Sequence, residues 1–172
     1  MIRLATENDI EAIDQIYEDI HTEEEAGRLS IGWQRGIYPT ETTARDSVAK
    51  GDMFVCVRDG NVVAAAKLNQ EQVDVYYGAD WEFPAEDHEV MVMHTLVVSP
   101  SAMARGIGRE FLEFYEKHAI ENGCPYLRID TNEKNTRART FYSKLGYKEI
   151  GIVPCIFNGL EGVNLVLLEK KI

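Results

Sequence analysis

Leu96-Val-Val-Ser-Pro-Ser-Ala-Met-Ala-Arg-Gly-Ile-Gly-Arg109 reads as the end of a strand, a short loop and the start of a helix. Ser99-Pro100 closes the apolar run, because proline has no N–H for a strand ladder and restricts the residue before it. Beyond it, Ile107, Phe111, Leu112, Tyr115 and Ala119 recur at helical spacing, and Gly123 sits where that helix should end. Gly106 and Gly108 let backbone N–H groups approach a ligand closely. They lie at a helix N-terminus, whose free donors and dipole favour phosphate, and Arg105 and Arg109 add charge. Two familiar phosphate loops do not fit. There is no Gly-x4-Gly-Lys-Ser/Thr, and Phe111 stands where Gly-x-Gly-x-x-Gly needs its third glycine. Alone, such a Gly-x-Gly reads as an ordinary strand-to-helix turn that needs two flexible residues.

Working outward, Val90–Val98 is a long strand and Tyr126–Thr131 another. Ala138, Phe141, Tyr142 and Leu145 mark a helix stopped at Gly146, and two last strands fit Tyr147–Val153 and Val163–Leu168. Towards the N-terminus, Ile2–Ala5 is a short strand. Thr6-x-x-Asp9 is a capping box for a helix with Ile10, Ile13, Ile16, Tyr17 and Ile20 on its apolar face. Residues 21–40 lack periodicity and read as a structured loop or short helix, and Thr40–Lys50 as a second helix. Met53–Val57 and Val62–Leu68 form a hairpin about Asp59-Gly60-Asn61. Residues 70–89 are irregular, aromatic and acidic. The order predicts an α+β (mixed α/β) domain: a largely antiparallel sheet of about seven strands covered by about four helices. No repeat, linker or low-complexity tract divides residues 1–172, so a single domain is expected.

The 172 residues carry 18 Lys+Arg against 29 Asp+Glu, a formal charge of −11. Such a surface disfavours nucleic-acid and anionic-membrane partners and favours cationic substrates. No apolar stretch is long enough to span a bilayer, and the first residues do not form a signal peptide. Cys56, Cys124 and Cys155 stand far apart with no metal-ligand spacing, which predicts reduced thiols, no metal and a cytoplasmic protein. The charge is uneven. Residues 6–25 hold nine acidic residues and residues 71–90 hold seven, both without Lys or Arg, whereas residues 103–148 hold nine basic against six acidic. Any one of these charges also fits a solvated face.

The glycine turn is followed by Asn135-Thr-Arg-Ala138-Arg-Thr-Phe-Tyr142-Ser-Lys-Leu-Gly146-Tyr147. Hydrophobic-x-Val-x-Pro, Arg-Gly-x-Gly and Asn-x-x-Ala-x-x-x-Tyr together resemble the GCN5-related N-acetyltransferase (GNAT) superfamily, well over residues 90–151 and by element order alone before that. The resemblance implies a GNAT-like fold and acetyl-CoA as cosubstrate. Carried over residue by residue, the backbone of Leu96, Val97 and Val98 would hold the pantetheine arm. Ala104, Arg105, Gly106, Ile107, Gly108 and Arg109 would cradle the pyrophosphate. Asn135 would contact the pantetheine or close the site, and Lys144 would reach a CoA phosphate. Met103 departs from the Gln or Arg usual three residues before the first glycine, so weakened affinity is expected.

Acetyl transfer to an amine requires deprotonation, carbonyl polarisation and protonation of the departing thiolate. Tyr142 matches the family's thiolate acid, though it also continues an apolar helix face. For the base, His94 lies two residues before Leu96, where alternation puts it on one face with Leu96 and Val98. Asp130 stands five residues before Asn135, and a water relay is a third option. By analogy the acceptor site lies in segments 23–40 and 70–89. Trp33, Tyr38 and Trp81 would there line an aromatic, acidic mouth for a primary amine, with core packing the plain alternative for each. The expected partner is a small cationic amine, with a protein or peptide amine, or CoA binding without turnover, as alternatives. A homodimer is common in the family.

Overall fold

The structure is a computed structural model and describes residues 1–172. Seven strands form one sheet: β1 (Ile2–Leu4), β2 (Met53–Arg58), β3 (Asn61–Asn69), β4 (Val90–Val98), β5 (Tyr126–Asn132), β6 (Lys148–Phe157) and β7 (Leu160–Lys171). Four helices cover it: α1 (Ile10–Glu25), α2 (Glu41–Ala49), α3 (Ile107–Glu121) and α4 (Thr136–Lys144). The strand order is β1-β2-β3-β4-β5-β7-β6, and every neighbouring pair is antiparallel except β4 with β5. Segment 21–40 is resolved by α1 running on to Glu25, with a loop after it. No helix is long and apolar enough to cross a membrane.

The sheet is buried on both faces near its centre, which is why β4 reads as a continuous apolar run. On one face Phe111, Leu112, Tyr115 and Ala119 of α3 pack on Met91, Met93, Leu127 and Ile129. On the other Ile13, Ile16, Tyr17 and Ile20 of α1 pack on Val55, Ala65 and Val97. Each such side chain contributes about 1.5–3 kcal/mol. Ala64, Ala65 and Ala66 are fully buried in β3, and their small side chains let both helix layers approach the sheet closely. A third cluster, built on Tyr76, Val90, Val92 and Leu165, lies beneath segment 70–89.

Two irregularities of β4 shape the middle of the molecule. β4 pairs with β5 from Val90↔Tyr126 only as far as Met93↔Ile129, after which the parallel strands diverge. On its other edge, Lys67 of β3 opposes His94 whereas Ala65 opposes Val97, so Ala66 faces two residues, Thr95 and Leu96. This is a β-bulge, and Thr95 takes the left-handed conformation at φ 53°. The bulge inverts the side-chain alternation. Leu96 and Val98 pack with the Met93 face under α3, whereas His94 shares the opposite face with Val97. The expectation that His94, Leu96 and Val98 point the same way is therefore corrected: strict period 2 holds only where no residue is inserted.

Candidate active site

The divergence of β4 from β5 opens a cleft through the sheet. On the α3/α4 side lies a cavity of about 580 Å³, bounded by Leu96, Val97 and Val98, the loop Ala102–Ala104, the start of α3 and the start of α4. Past the bulge the β5-facing edge of β4 has no strand partner. The Ser99 N–H donates to Val63 O on the β3 side at 2.8 Å, so by alternation the N–H groups of Leu96 and Val98 face the cleft.

At the far end of this cavity, Gly106 caps α3 in the left-handed conformation at φ 80°, and Ala104 is left-handed at φ 62°. The first helical bond is Glu110 N–H to Gly106 O at 3.1 Å, which leaves Ile107, Gly108 and Arg109 N–H without helical acceptors. These donors, Gly108 and Arg109 among them, edge the cavity, which is also lined by Arg28, Lys134 and Arg137 and by no Asp or Glu. Arg28 is paired with Glu23, but Arg109, Lys134 and Arg137 remain, and in a chain of net charge −11 three such cations around one cavity make a site for a multiply charged anion. The dimensions, the free N–H groups and the charge all fit acetyl-CoA.

The structure does not gather every residue of the expected set. Arg105 is exposed and only its neighbours edge the cavity. Lys144 is exposed at the far end of nine-residue α4 and lines neither the CoA-side cavity nor the acceptor side. Rising 1.5 Å per residue, α4 sets Lys144 about 12 Å from the Asn135 end that touches the cleft. Lys134 and Arg137, which flank Asn135, take the place assigned to it. Arg28, Lys134 and Arg137 were not anticipated, although two of them stand within two residues of the Asn of the motif. Met103 lines the cavity, and its sulfur accepts from Arg137 Nη1 at 3.5 Å.

Leu96, Asn135, Ala138 and Tyr142 belong at once to this cavity and to a narrow one of about 90 Å³ on the other side of the cleft. Asn135 is fixed as the cap of α4, its side-chain oxygen accepting from Ala138 N–H at 3.1 Å. Tyr142 is buried, and burial followed by the nearby Asp130 charge holds its phenol well above the ordinary range. It therefore stays protonated at physiological pH and is equipped to donate a proton.

The narrow cavity holds Asp130, with Trp33, Tyr38, Phe157 and Thr95 about it. Burial raises the Asp130 carboxyl to about 6, opposed by a hydrogen bond donated from Tyr76 Oη at 2.8 Å. His94 faces a further cavity, its Nε2–H donates to Asn69 Oδ1 at 3.0 Å, and burial with the Lys67 charge lowers it to about 4. Asp130 and His94 thus share one face of the sheet, but only Asp130 shares a cavity with Tyr142.

Trp33 and Tyr38 do meet, edge to face at 5.9 Å, and Phe157 closes on Tyr38 at 5.6 Å. The Tyr38 hydroxyl is hydrogen-bonded to Thr95 Oγ1. Trp81 is elsewhere, contrary to expectation. Its ring lies 4.0 Å from the Arg128 guanidinium and 5.1 Å from Tyr76, and its Nε1–H donates to Tyr76 O at 2.8 Å. It braces Tyr76, which in turn holds Asp130. The acidic mouth is not formed by the carboxylates of segment 23–40. Glu23 and Glu25 pair with Arg28 and Arg35, and Glu24 accepts from Ile31 N–H at 2.6 Å and Gly32 N–H at 2.8 Å. Those carboxylates shape the loop after α1 and do not line the cleft.

Comparison with known proteins agrees with this geometry. Residues 10–147 match the Acetyltransferase (GNAT) family. A GNAT-family acetyltransferase from Streptococcus agalactiae superposes over 100% of this chain and 95% of its own, at 26% identity and a TM-score of 0.83. An acetyltransferase from Salmonella typhimurium, solved with its cofactor acetyl-CoA, shares the fold at 17% identity and a TM-score of 0.68 over 99% of this chain and 92% of its own. The yeast (Saccharomyces cerevisiae) D-amino-acid N-acetyltransferase HPA3 is 38% identical over 60 residues, which span 35% of this chain and only 37% of the yeast enzyme. From its matched sequence and its fold, the chain belongs to the acetyltransferase (GNAT) family.

Proposed function

We propose that the protein transfers the acetyl group of acetyl-CoA to the primary amine of a small molecule, by direct attack within a ternary complex. The observation that carries this reading is the position of Tyr142. It lies between a cavity whose charged lining residues are all cationic, ending at a helix N-terminus, and a narrow cavity holding Asp130. Arg109, Lys134 and Arg137, with the free N–H groups of α3, would hold the CoA phosphates, and the edge of Leu96–Val98 the pantetheine arm. Acetyl-CoA supplies the activated acyl group.

An alkylammonium has a pKa of about 10.4, so freeing the amine near pH 7.4 costs about 4 kcal/mol. Asp130, raised to about 6, is ionised at that pH and basic enough to help, while burial beside Trp33 and Tyr38 lowers the ammonium's own pKa. An imidazole at about 4 is the weaker base, which favours Asp130 over His94. The cleft-facing N–H groups of Leu96 and Val98 polarise the carbonyl as an oxyanion hole does. Tyr142 donates its proton to the departing thiolate. The narrowness of the inner cavity, about 90 Å³, favours a slim aminoalkyl group over a protein chain.

The test is release of free thiol from acetyl-CoA across a panel of amines, comparing wild type with Tyr142→Phe. Amine-dependent release that falls about 10²-fold or more in the variant, with acetyl-CoA binding retained, is expected. Binding without release on any amine would overturn the reading.

A further inference from the structure

Asp130 meets the narrow cavity on one side and is held from the other. Its Oδ2 accepts from Tyr76 Oη at 2.8 Å, and no other protein group donates to the carboxylate. Tyr76 is 1% exposed and lines neither cavity of the cleft, so it does not touch the acceptor. We infer that Tyr76 is a positioning residue for acetyl transfer: its hydroxyl pins one oxygen of Asp130, leaves the other to the amine, and keeps the carboxylate ionised at neutral pH. The inference rests on the transferase reading given above and adds to it a residue from outside the acceptor site.

The way segment 70–89 is fastened is the first support. Tyr76 sits in a short 3-10 turn, Asp74–Gly78, and its N–H donates to Val73 O at 2.9 Å. Trp81 closes on its ring at 5.1 Å and donates Nε1–H to Tyr76 O at 2.8 Å. Arg128 lies 4.0 Å from the Trp81 ring and donates to Phe83 O at 3.2 Å and to Gln72 Oε1. Buried Glu169, opposite Arg128 on β7, accepts from Glu82 N–H at 2.6 Å. The segment is thus tied down on both sides of Tyr76, by Gln72 before it and by Trp81, Glu82 and Phe83 after it. Arg128 stands two residues before Asp130 on the same face of β5, but its guanidinium serves this segment and not the carboxylate.

The second support is the chemistry around Asp130. Besides Tyr76, its charge is felt by Tyr38 from the loop before α2, by Tyr142 from α4 and by Cys155 from β6. Burial raises all four, so each stays neutral in the physiological range and only Asp130 titrates there. The Tyr38 hydroxyl is engaged with Thr95. No cation pairs with Asp130, and the Tyr76 hydroxyl is its one donor. A phenol donating to an ionised carboxylate stabilises that form, whereas burial opposes it. Losing the donor should raise the carboxyl by about one to two pH units, the worth of a hydrogen bond to a charged group. Starting from about 6, it would then titrate at or above neutrality, and much of the protein at physiological pH would carry a protonated, inactive Asp130.

The experiment reads kcat/KM for thiol release against pH in wild type, Tyr76→Phe, Asp130→Asn and the double variant, with an amine that wild type accepts. The Asp130 carboxyl is titrated in parallel by NMR of CoA-loaded protein isotopically labelled at aspartate, its signal assigned by its loss in Asp130→Asn. Tyr76→Phe keeps the buried ring. Its acid limb and its carboxyl titration should both move up by about one to two pH units, with kcat/KM down about two- to tenfold at pH 7 and within about threefold of wild type at pH 9. The limb set by the amine's own ionisation should stay in place. Once Asp130 is Asn, Tyr76→Phe should lower activity by no more than about twofold further. Trp81→Phe, which loosens Tyr76 without removing its hydroxyl, should move both midpoints the same way by a smaller step. A Tyr76→Phe loss equal at every pH, with the carboxyl titration unmoved, would mark a merely structural role and overturn the inference. So would a profile identical to that of wild type. A carboxyl titration that moves although wild type acetylates no amine would overturn the transferase reading and leave the hold of Tyr76 on Asp130 standing.

Discussion

Replacing Asp130 by Asn should make the protein more stable and nearly inactive. An ordinary aspartate ionises at 3.8, and burial raises Asp130 to about 6. Each pH unit between those values is about 1.4 kcal/mol, so ionised Asp130 costs the fold about 3 kcal/mol relative to the unfolded chain. The sign follows from the direction. A folded value above the unfolded one means the proton is bound more tightly in the native state. Its stabilisation is complete below pH 3.8 and is lost as pH rises to about 6. At pH 7.5 wild type therefore carries a buried charge that Asn does not, while Asn still accepts the Tyr76 hydrogen bond through its carbonyl. Allowing for water in the cleft, Asp130→Asn should gain about 1–3 kcal/mol, a Tm rise of about 2–10 °C for a domain of this size. Melting at pH 7.5 and pH 4 measures it, and the gain should nearly vanish at the lower pH. In the thiol-release assay, kcat/KM should fall about 10²–10⁴-fold, the usual effect of removing a general base. Wild-type kcat/KM should itself rise with pH through about 6. An Asn variant that melts below wild type at pH 7.5, or turns over within threefold of it, would refute the reasoning.

Other outcomes follow from the same coordinates. Gly106→Val places a β-branched residue at φ 80° where no atom lies within 4 Å. The cost is about 1–3 kcal/mol of backbone strain, and the acetyl-CoA Kd measured by calorimetry should rise at least tenfold. Lys134→Ala combined with Arg137→Ala should weaken acetyl-CoA binding and flatten its salt dependence, read by titration at two ionic strengths. Asp9 accepts two bonds from Arg3 at 2.8 Å, and chiefly for that reason its carboxyl is lowered to about 2. That stabilisation is present above pH 3.8 and is lost as pH falls towards 2. Asp9→Ala should thus cost about 1–2 kcal/mol in denaturant melts at pH 7, with the difference fading in acid.

Most of the fold was legible because hydrophobic period and punctuation agree. Val90–Val98 is bounded by an acidic loop and by Ser99-Pro100, and its observed limits are those read from sequence. The capping box at Thr6 and Asp9 and the apolar stripe from Ile10 place α1 at its start, although acidic residues hid its last turn. β6 and β7 run longer than read, to Phe157 and from Leu160; β6 is the sheet's edge strand, where exposed residues and Pro154 interrupt the apolar run, and β7 pairs with it along its length. The bulge at Thr95 and Leu96 left no trace, since neither residue is a glycine or otherwise marks a left-handed turn. That one inserted residue reversed the face of His94. Residue type revealed Tyr142, Asp130 and the glycine loop, but not partners. Trp81 looked like a substrate aromatic until Arg128 and Tyr76 were seen against it, and Glu24 like an open acid until it met the Ile31 and Gly32 amides. Arg28 reaches the CoA-side cavity from a loop about seventy residues away in sequence, a contact that only tertiary structure reveals.

The most direct test of the account is a crystal structure with CoA bound. The diphosphate should lie against the N–H groups of Ile107, Gly108 and Arg109, with the pantetheine arm along Leu96–Val98. The thiol should end within hydrogen-bond reach of the Tyr142 hydroxyl, on the side of the cleft facing Asp130. A cofactor seated elsewhere, or a thiol directed away from Tyr142, would contradict it.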